Sequence, residues 1–426
     1  MPFDPHQPCN DLPPLPPSVE LETRAVLKKA ISANRALAEL KGAGELIPDQ
    51  TLLIQSIGLQ EAKLSSEIEN IVTTNDELYR AFADDGQRTN PHTKEVLRYK
   101  DALWHGFRAI RQENRPLTTR LFEELFQIIK ETAAGVRQTP GTKLANPMGE
   151  VIYTPPEGES VIRDKLANLE TFLYAEDDLD PLIKLAVIHY QFEAIHPFTD
   201  GNGRTGRIVN ILYLVEAGLL DIPVLYLSRH IIDHKGDYYS GLRQVTEAQC
   251  WQPWILYLLH AIEQTARATR ERILAIRDTL GESIERVRTD LPKIYSKDMV
   301  ELLYRQPYCK IRFLEEATFS RGSRHRPAED RLPLPAGVGE DRRVGANQGR
   351  AGDVLPEHRT ARNSVSMIWV AQGHIRRTWV KNDEFCPYFL GLGASGHDLK
   401  KIKTSLVWPA STETSGTCDR SGPCPR

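Results

Sequence analysis

His196-Pro197-Phe198-Thr199-Asp200-Gly201-Asn202-Gly203-Arg204-Thr205-Gly206-Arg207 sets a histidine, a carboxylate, an amide, two arginines and turn glycines side by side, and its flanks decide what it is. Upstream, Asp180-Pro181 can cap and open a helix, which Leu182, Leu185, Ala186, Val187, Ile188 and Phe192 make largely buried. Downstream, Ile208, Ile211, Leu212 and Val215 recur at helical spacing until Gly218 stops the run. The polar stretch is therefore a helix–loop–helix connection whose second helix begins near Asn202.

That placement has a chemical consequence. The first backbone N–H groups of a helix lack internal partners and carry the positive end of its dipole, so they form an anion site. Gly201 and Gly203 let the backbone approach a phosphate without a Cβ in the way. Arg204 and Arg207, three apart, share a helix face and can aim at the same oxygens. Asp200 is a hard oxygen ligand suited to Mg²⁺, and His196 can take a proton near neutral pH.

The bulk composition excludes several classes. With 26% charged residues and a formal net charge of −3, the chain of 426 residues has no global basic field for nucleic acid. It is long enough for two or three domains. No apolar run approaches the roughly 18 residues of a membrane span, so no membrane partner is expected. The Pro-rich, acidic start is no secretory signal, and six scattered cysteines without a CxxC pair point to cytosolic thiols and a cytoplasmic location. No G-x-x-x-x-G-K-[ST] loop is present, so any ATP chemistry needs another cradle.

At residues 196–207 the chain resembles the Fic family, whose signature is H-x-F-x-D/E-G-N-G-R-x-x-R; every specified position is met. The resemblance implies a mainly α fold: a Fic helical core with a short β-hairpin flap and an N-terminal helical inhibitory domain. It implies transfer of AMP from ATP to a Ser, Thr or Tyr hydroxyl of a target protein, with release of pyrophosphate. His196 would deprotonate the hydroxyl, and Asp200 would hold Mg²⁺ between the α- and β-phosphates. Gly201, Asn202, Gly203 and Arg204, with Thr205 and Gly206 in the same turn, would cradle ATP, and Arg207 would grip its γ-phosphate. Phosphate-transferring relatives carry Lys where this chain has Gly203, which favours nucleotide transfer.

Residues 1–18, with Pro13-Pro14-Leu15-Pro16-Pro17, read as a disordered leader, and 19–118 as an N-terminal helical domain. A helix is expected over Glu20–Asn34 and a second over Gln50–Ile57, after a Pro48-Asp49 turn. Leu64-Ser65-Ser66-Glu67-Ile68-Glu69-Asn70-Ile71 then reads as a separate short helix with serines at its start. It also resembles the Fic inhibitory motif S/T-x-x-x-E-G/N, filled by Ser65, Glu69 and Asn70. Glu69 and an ATP γ-phosphate would compete for Arg207, and the same glutamate could support removal of AMP.

The catalytic domain is expected over 119–262. Its Pro- and Gly-rich loop holds the β-like run Glu150-Val151-Ile152-Tyr153-Thr154, and the resemblance makes Met148, Gly149, Glu150, Val151, Ile152 and Tyr153 a target-binding flap. His230 and His234 could suggest zinc, but with Asp233 for Glu and no third ligand they read as loop-rim residues. By resemblance Tyr238 and Tyr239 would face the adenine, near Thr246, although simple packing accounts for one of them. Trp251, Trp254, Ile255, Leu258 and Leu259 form a core-closing helix, followed by a solvated, Arg- and Glu-rich helix over Ile262–Arg288.

Residues 263–317 read as that connecting helix and an incomplete winged helix-turn-helix, with Ser296 as a cap, a turn at Gln306-Pro307 and Ile311, Phe313 and Leu314 beyond. A DNA contact could run through it, and a homodimer is a further partner to consider. Over 318–426 apolar periodicity disappears, so no stable fold is expected there; disorder or out-of-frame translation gives the same pattern, and the gene's other reading frames would separate them. Two other readings stay open: a different Fic-type transfer, and a transcriptional regulator with a vestigial catalytic domain.

Overall fold

In the computed structural model, Thr23 accepts the amide of Val26 and opens helix α1 (Arg24–Gly44), which is longer at its C-terminal end than its charge pattern suggests. The structure describes residues 3–47, 50–83, 90–290, 292, 295–305, 309–310, 365–371, 374–381 and 384–389. Helices α2 (Gln50–Ile68), α3 (Asn75–Ala83) and α4 (Pro91–Arg111) complete the N-terminal part. The expected Pro48-Asp49 turn lies outside the described residues.

One correction follows from α2. Its single run replaces the two short helices read from sequence, so Ser65 and Ser66 do not cap a helix start. They sit in its last turn, fully buried. The turn closes where Asn70 adopts a left-handed φ of 61° and the amide of Ile71 reaches the carbonyl of Ser66 at 3.0 Å. Lys235 Nζ adds a cation at the negative end of the helix, 2.8 Å from the Ile68 carbonyl.

Helix α5 (Thr119–Lys130) leads into a loop and a small antiparallel hairpin, β1 (Leu144–Ala145) and β2 (Val151–Tyr153), pairing Leu144 with Tyr153. Then come α6 (Glu159–Leu173), α7 (Pro181–Ile195) and α8 (Asn202–Glu216). Asp180 caps α7 through the Leu182 amide at 2.8 Å, and Gly218 turns left-handed just beyond α8, as the sequence indicated. Nearly every residue of α7 and α8 is buried, because other helices surround the pair. Each large aliphatic side chain so buried is worth about 1.5–3 kcal/mol.

Helices α9 (Leu227–Asp233) and α10 (Lys235–Ala248) precede α11 (Trp251–Asp290), one unbroken helix of 40 residues. It is not simply a solvated connector beyond Ile262: α1 packs along it, burying Ile262, Ala266, Thr269 and Ile273. Ser296 caps α12 (Lys297–Arg305) through Met299, and α12 covers Leu280 and Val287.

The first residues require a second correction. Residues 3–18 are not a free leader: Leu12 and Leu15 are buried, and the backbone carbonyls of Leu12, Pro13 and Leu15 accept hydrogen bonds from Lys165, Gln191 and Asn168. Two proline pairs, Pro13-Pro14 and Pro16-Pro17, forbid a helix but leave the carbonyls free for side-chain donors.

Beyond α12, the backbone forms a sheet of β3 (Cys309–Lys310), β4 (Val365–Ala371), β5 (His374–Lys381) and β6 (Glu384–Phe389), in that order, with β3–β4 and β4–β5 antiparallel. The chain divides into units Met1–Tyr388 and Phe389–Arg426. The winged-helix turn at Gln306-Pro307, residues Ile311, Phe313 and Leu314, and all of 318–426 except β4–β6 lie outside the described residues. No helix among those described is long and apolar enough to cross a membrane.

Candidate active site

The loop between α7 and α8 is built on aromatic stacking. Phe198 is fully buried, with its ring 4.3 Å from Phe126 on α5 and nearly parallel to it. Asn202 closes the loop, since its side chain both accepts from the Phe198 amide and donates to the Phe198 carbonyl at 2.8 Å. Its amide group is therefore used within the protein. Thr205 and Gly206 are also turned inward. The Thr205 hydroxyl bonds the Gly201 carbonyl at 3.0 Å, and a Cβ on Gly206 would come within 2.8 Å of Glu193 Oε1. These two shape the packing of α8 on α7, which corrects their assignment to a nucleotide.

His196 ends α7 in a left-handed turn at φ 50°. Burial first, and then the Arg137 charge, push its pKa down to about 4, so the imidazole is neutral at physiological pH. Its Nδ1 is buried without a hydrogen-bond partner among the described residues.

Gly201, at φ 73°, starts α8, and no side chain caps the helix. The first-turn amides are thus left facing the space where Gly203 has no side chain. Arg204 is 1% exposed and pairs with Glu95 on α4 at 2.6 Å, while Asp200, 64% exposed, pairs with Lys130 at 2.6 Å. Lys130 also reaches Glu95 at 2.9 Å, so two carboxylates and two cations alternate around the loop. Although burial opposes it, Lys130 holds Asp200 below the usual carboxylate value. One exposed carboxylate beside an uncapped helix start fits Mg²⁺, which takes few protein ligands and fills its shell with phosphate oxygens and water.

Arg207 lies on the same face and is engaged through Nε and Nη2. Its Nε donates to the Ser65 hydroxyl, and its Nη2 to the Ser65 carbonyl and to Glu69 Oε1, each at 2.8 Å. Burial opposes ionisation of Glu69, yet the Arg207 charge keeps its pKa below the usual value. Any Cβ on Gly203 would collide with this carboxylate, meeting Oε1 within 2.4 Å. Glycine at 203 is thus required for the closed pair as well as for the cradle.

The two tyrosines separate. Tyr238 is buried, 2.9 Å from His189 Nε2 and edge-on to Trp254, so it is a core residue and not an open adenine contact. Tyr239 is 48% exposed. Thr246 is taken by the Tyr190 hydroxyl at 3.0 Å. His230 is buried on α9 and stacks on His234, so it is not a loop-rim residue; among the described residues no group of three or more ligands could hold a metal.

The hairpin carries Met148 at its tip, 81% exposed, with Asn146 Oδ1 accepting the Met148 and Glu150 amides around Gly149 at φ 83°. Tyr153 anchors its base, donating to the Ala194 carbonyl at 2.8 Å, next to His196. Phe3 stacks on Tyr153, and the Cys9 amide bonds the Thr154 carbonyl at 3.0 Å. Sequence reasoning missed Glu95, Lys130 and Arg137, because each lies far along the chain from its partner in no local pattern.

Comparison with known proteins accords with this geometry. The Fic/DOC family N-terminal model matches residues 27–108, and the Fic/DOC family model matches residues 116–214. The chain carries Fic/DOC family domains. A model for the C-terminal domain of SoFic-like protein adenylyltransferases matches residues 280–326. The chain is 32% identical over 117 residues to a protein adenylyltransferase Fic of Nematostella vectensis, covering 27% of this chain and 26% of that one. It is 27% identical over 183 residues to a probable protein adenylyltransferase of Aquifex aeolicus, covering 41% and 52%. It thus spans between about a quarter and about half of these relatives. A solved Fic family protein from Desulfovibrio desulfuricans G20 shares the fold, with 20% identity, a TM-score of 0.50, and coverage of 66% of this chain and 82% of that one.

Proposed function

We propose that this Fic protein transfers AMP from ATP to a Ser, Thr or Tyr hydroxyl of a target protein, and that it is held off by its own Glu69. The observation that carries the proposal is a neutral, partly buried His196 beside the uncapped first turn of α8, with Arg204 and Arg207 on that helix. The triphosphate would lie over the amides of Asn202, Gly203 and Arg204, with its γ-phosphate on Arg207. His196 takes the hydroxyl proton, the hydroxyl oxygen bonds to the α-phosphorus, and the bond to pyrophosphate breaks. Asp200 would hold Mg²⁺, which would supply charge neutralisation to the phosphate oxygens. Alignment of the attacking oxygen with the leaving group can be worth about 7–11 kcal/mol, so a mis-posed triphosphate is enough to silence the site.

Names of the relatives support adenylyl transfer, and the Glu69–Arg207 contact supports the inhibition. Tyr239 is the side chain we assign to the adenine, and the 144–153 hairpin to the target backbone. Hydrolytic removal of AMP, in which water attacks the α-phosphorus and the target hydroxyl leaves, is a second reaction open to the same Glu69 carboxylate. The test is incubation with Mg²⁺ and α-labelled ATP for the parent, Glu69→Gly and His196→Ala. Label on Glu69→Gly above the parent, and none on His196→Ala, is expected. An unlabelled Glu69→Gly protein in the presence of a cell extract would falsify the reading.

A further inference from the structure

A charged side chain outside the signature grips the catalytic turn. Arg137 lies in the loop between α5 and β1 and is 2% exposed. Its backbone N–H donates to the Pro197 carbonyl at 2.9 Å and its Nε to the His196 carbonyl at 2.8 Å. Its Nη2 reaches the Ile195 carbonyl at 3.4 Å and also bonds the Pro156 carbonyl, just past β2. Among the described residues no carboxylate forms an ion pair with it. A buried guanidinium answered by carbonyls alone is costly, and burial pushes its own pKa down.

The carbonyls it takes are the informative part. The last carbonyls of a helix lack internal donors and form the negative end of the dipole, where a protonated histidine is normally favoured. Here a permanent cation already occupies that end. The same guanidinium ties the end of α7 to the exit of the hairpin.

We propose that Arg137 is a positioning residue for the transfer reaction, joining the carbonyls of Ile195 and His196 to that of Pro156 so that the imidazole is held in its left-handed turn at a set distance from the hairpin. The proposal rests on His196 being the base. It also accounts for a neutral ring in a crowded field. The backbone of Glu193 on α7 and the carboxylates of Glu69, just past α2, and Asp200 in the loop favour a proton on His196, and only burial and Arg137 oppose one.

The test uses Arg137→Met and Arg137→Lys in the full chain carrying Glu69→Gly. The His196 imidazole is titrated by NMR without nucleotide, its signal assigned by loss in His196→Ala. In Arg137→Met the His196 midpoint should rise into the pH 5–7 window, a shift of about one unit or more. In Arg137→Lys the charge stays but the fork is lost, so kcat should fall about tenfold or more with the KM for ATP unchanged. An unmoved midpoint in an Arg137→Met protein with the parent's amide spectrum overturns the proposal. So does an Arg137→Lys enzyme that turns over at the parent rate. If Arg137→Met does not fold, the kcat and KM of Arg137→Lys decide alone. The titration needs no turnover, so it distinguishes failure of this proposal from failure of the transfer reading.

Discussion

Glu69 Oε1 stands 2.8 Å from Nη2 of Arg207, although 138 residues separate the two in the chain. Nε and Nη2 of Arg207 are both aimed at Ser65 and Glu69 rather than at a γ-phosphate. Glu69→Gly should free the guanidinium, raise ATP binding and raise AMP incorporation by about tenfold or more. Ser65→Ala should give a smaller rise, because it removes one guanidinium–hydroxyl bond, worth about 1.5–3 kcal/mol, and leaves Glu69 and the Ser65 carbonyl in place. Labelled-ATP incorporation and calorimetric ATP titration measure both.

The pairing of Lys130 with Asp200 makes a second expectation. A divalent cation must take the carboxylate from an ammonium 2.6 Å away. Lys130→Met should therefore let Mn²⁺ saturate the site at lower concentration in the presence of a non-hydrolysable ATP analogue, and Asp200→Asn should abolish that binding. Electron paramagnetic resonance reads bound Mn²⁺ directly. A Lys130→Met protein needing more Mn²⁺ than the parent would show that the lysine helps hold the phosphates.

Tyr238 and Tyr239 should behave oppositely. Tyr239→Ala should raise the KM for ATP with little change in thermal stability, since its ring is 48% exposed. Tyr238→Phe should leave KM alone and lower stability by about 1 kcal/mol, through the lost bond to His189. Steady-state kinetics and thermal melts separate the two.

Buried carboxylates set a pH signature. Burial pushes Glu193 up to about 7 from the ordinary 4.5, with no hydrogen-bond partner on its Oε1 among the described residues. A raised carboxylate contributes stability that is complete below its unfolded value and lost as pH rises through the folded one. Glu193→Gln should therefore melt higher relative to the parent at pH 8 than at pH 5. His196, depressed to about 4, has the opposite sign: its contribution is present above about 6.5 and lost as pH falls toward 4. A Glu193→Gln difference that stays constant from pH 5 to 8 would show that the carboxyl does not titrate there.

Local pattern made much of the fold and the signature legible. Asp180-Pro181 and Gly218 bracket α7 and α8 because caps and breakers act within a few residues, and the turn glycines act at their own positions. The serines of α2 were misread for the same reason. Ser followed by Glu looks like a cap whatever precedes it, and only the continuous helix from Gln50 shows that Ser65 faces Arg207 from a final turn. The leader was misread because Leu12 and Leu15 gain burial only from a surface that α6 and α7 provide.

Residues 196–207 by themselves determined which groups could meet a phosphate, since helix starts, glycine freedom and side-chain chemistry are local properties. Which of those groups are free was decided by tertiary structure alone. Asn202, Thr205 and Gly206 are consumed in packing, Arg204 and Asp200 are shared with Glu95 and Lys130, and Arg207 is held by Ser65 and Glu69. Burial and charge pairing depend on what folds against a residue, and those partners come from distant helices that leave no mark beside it in the chain.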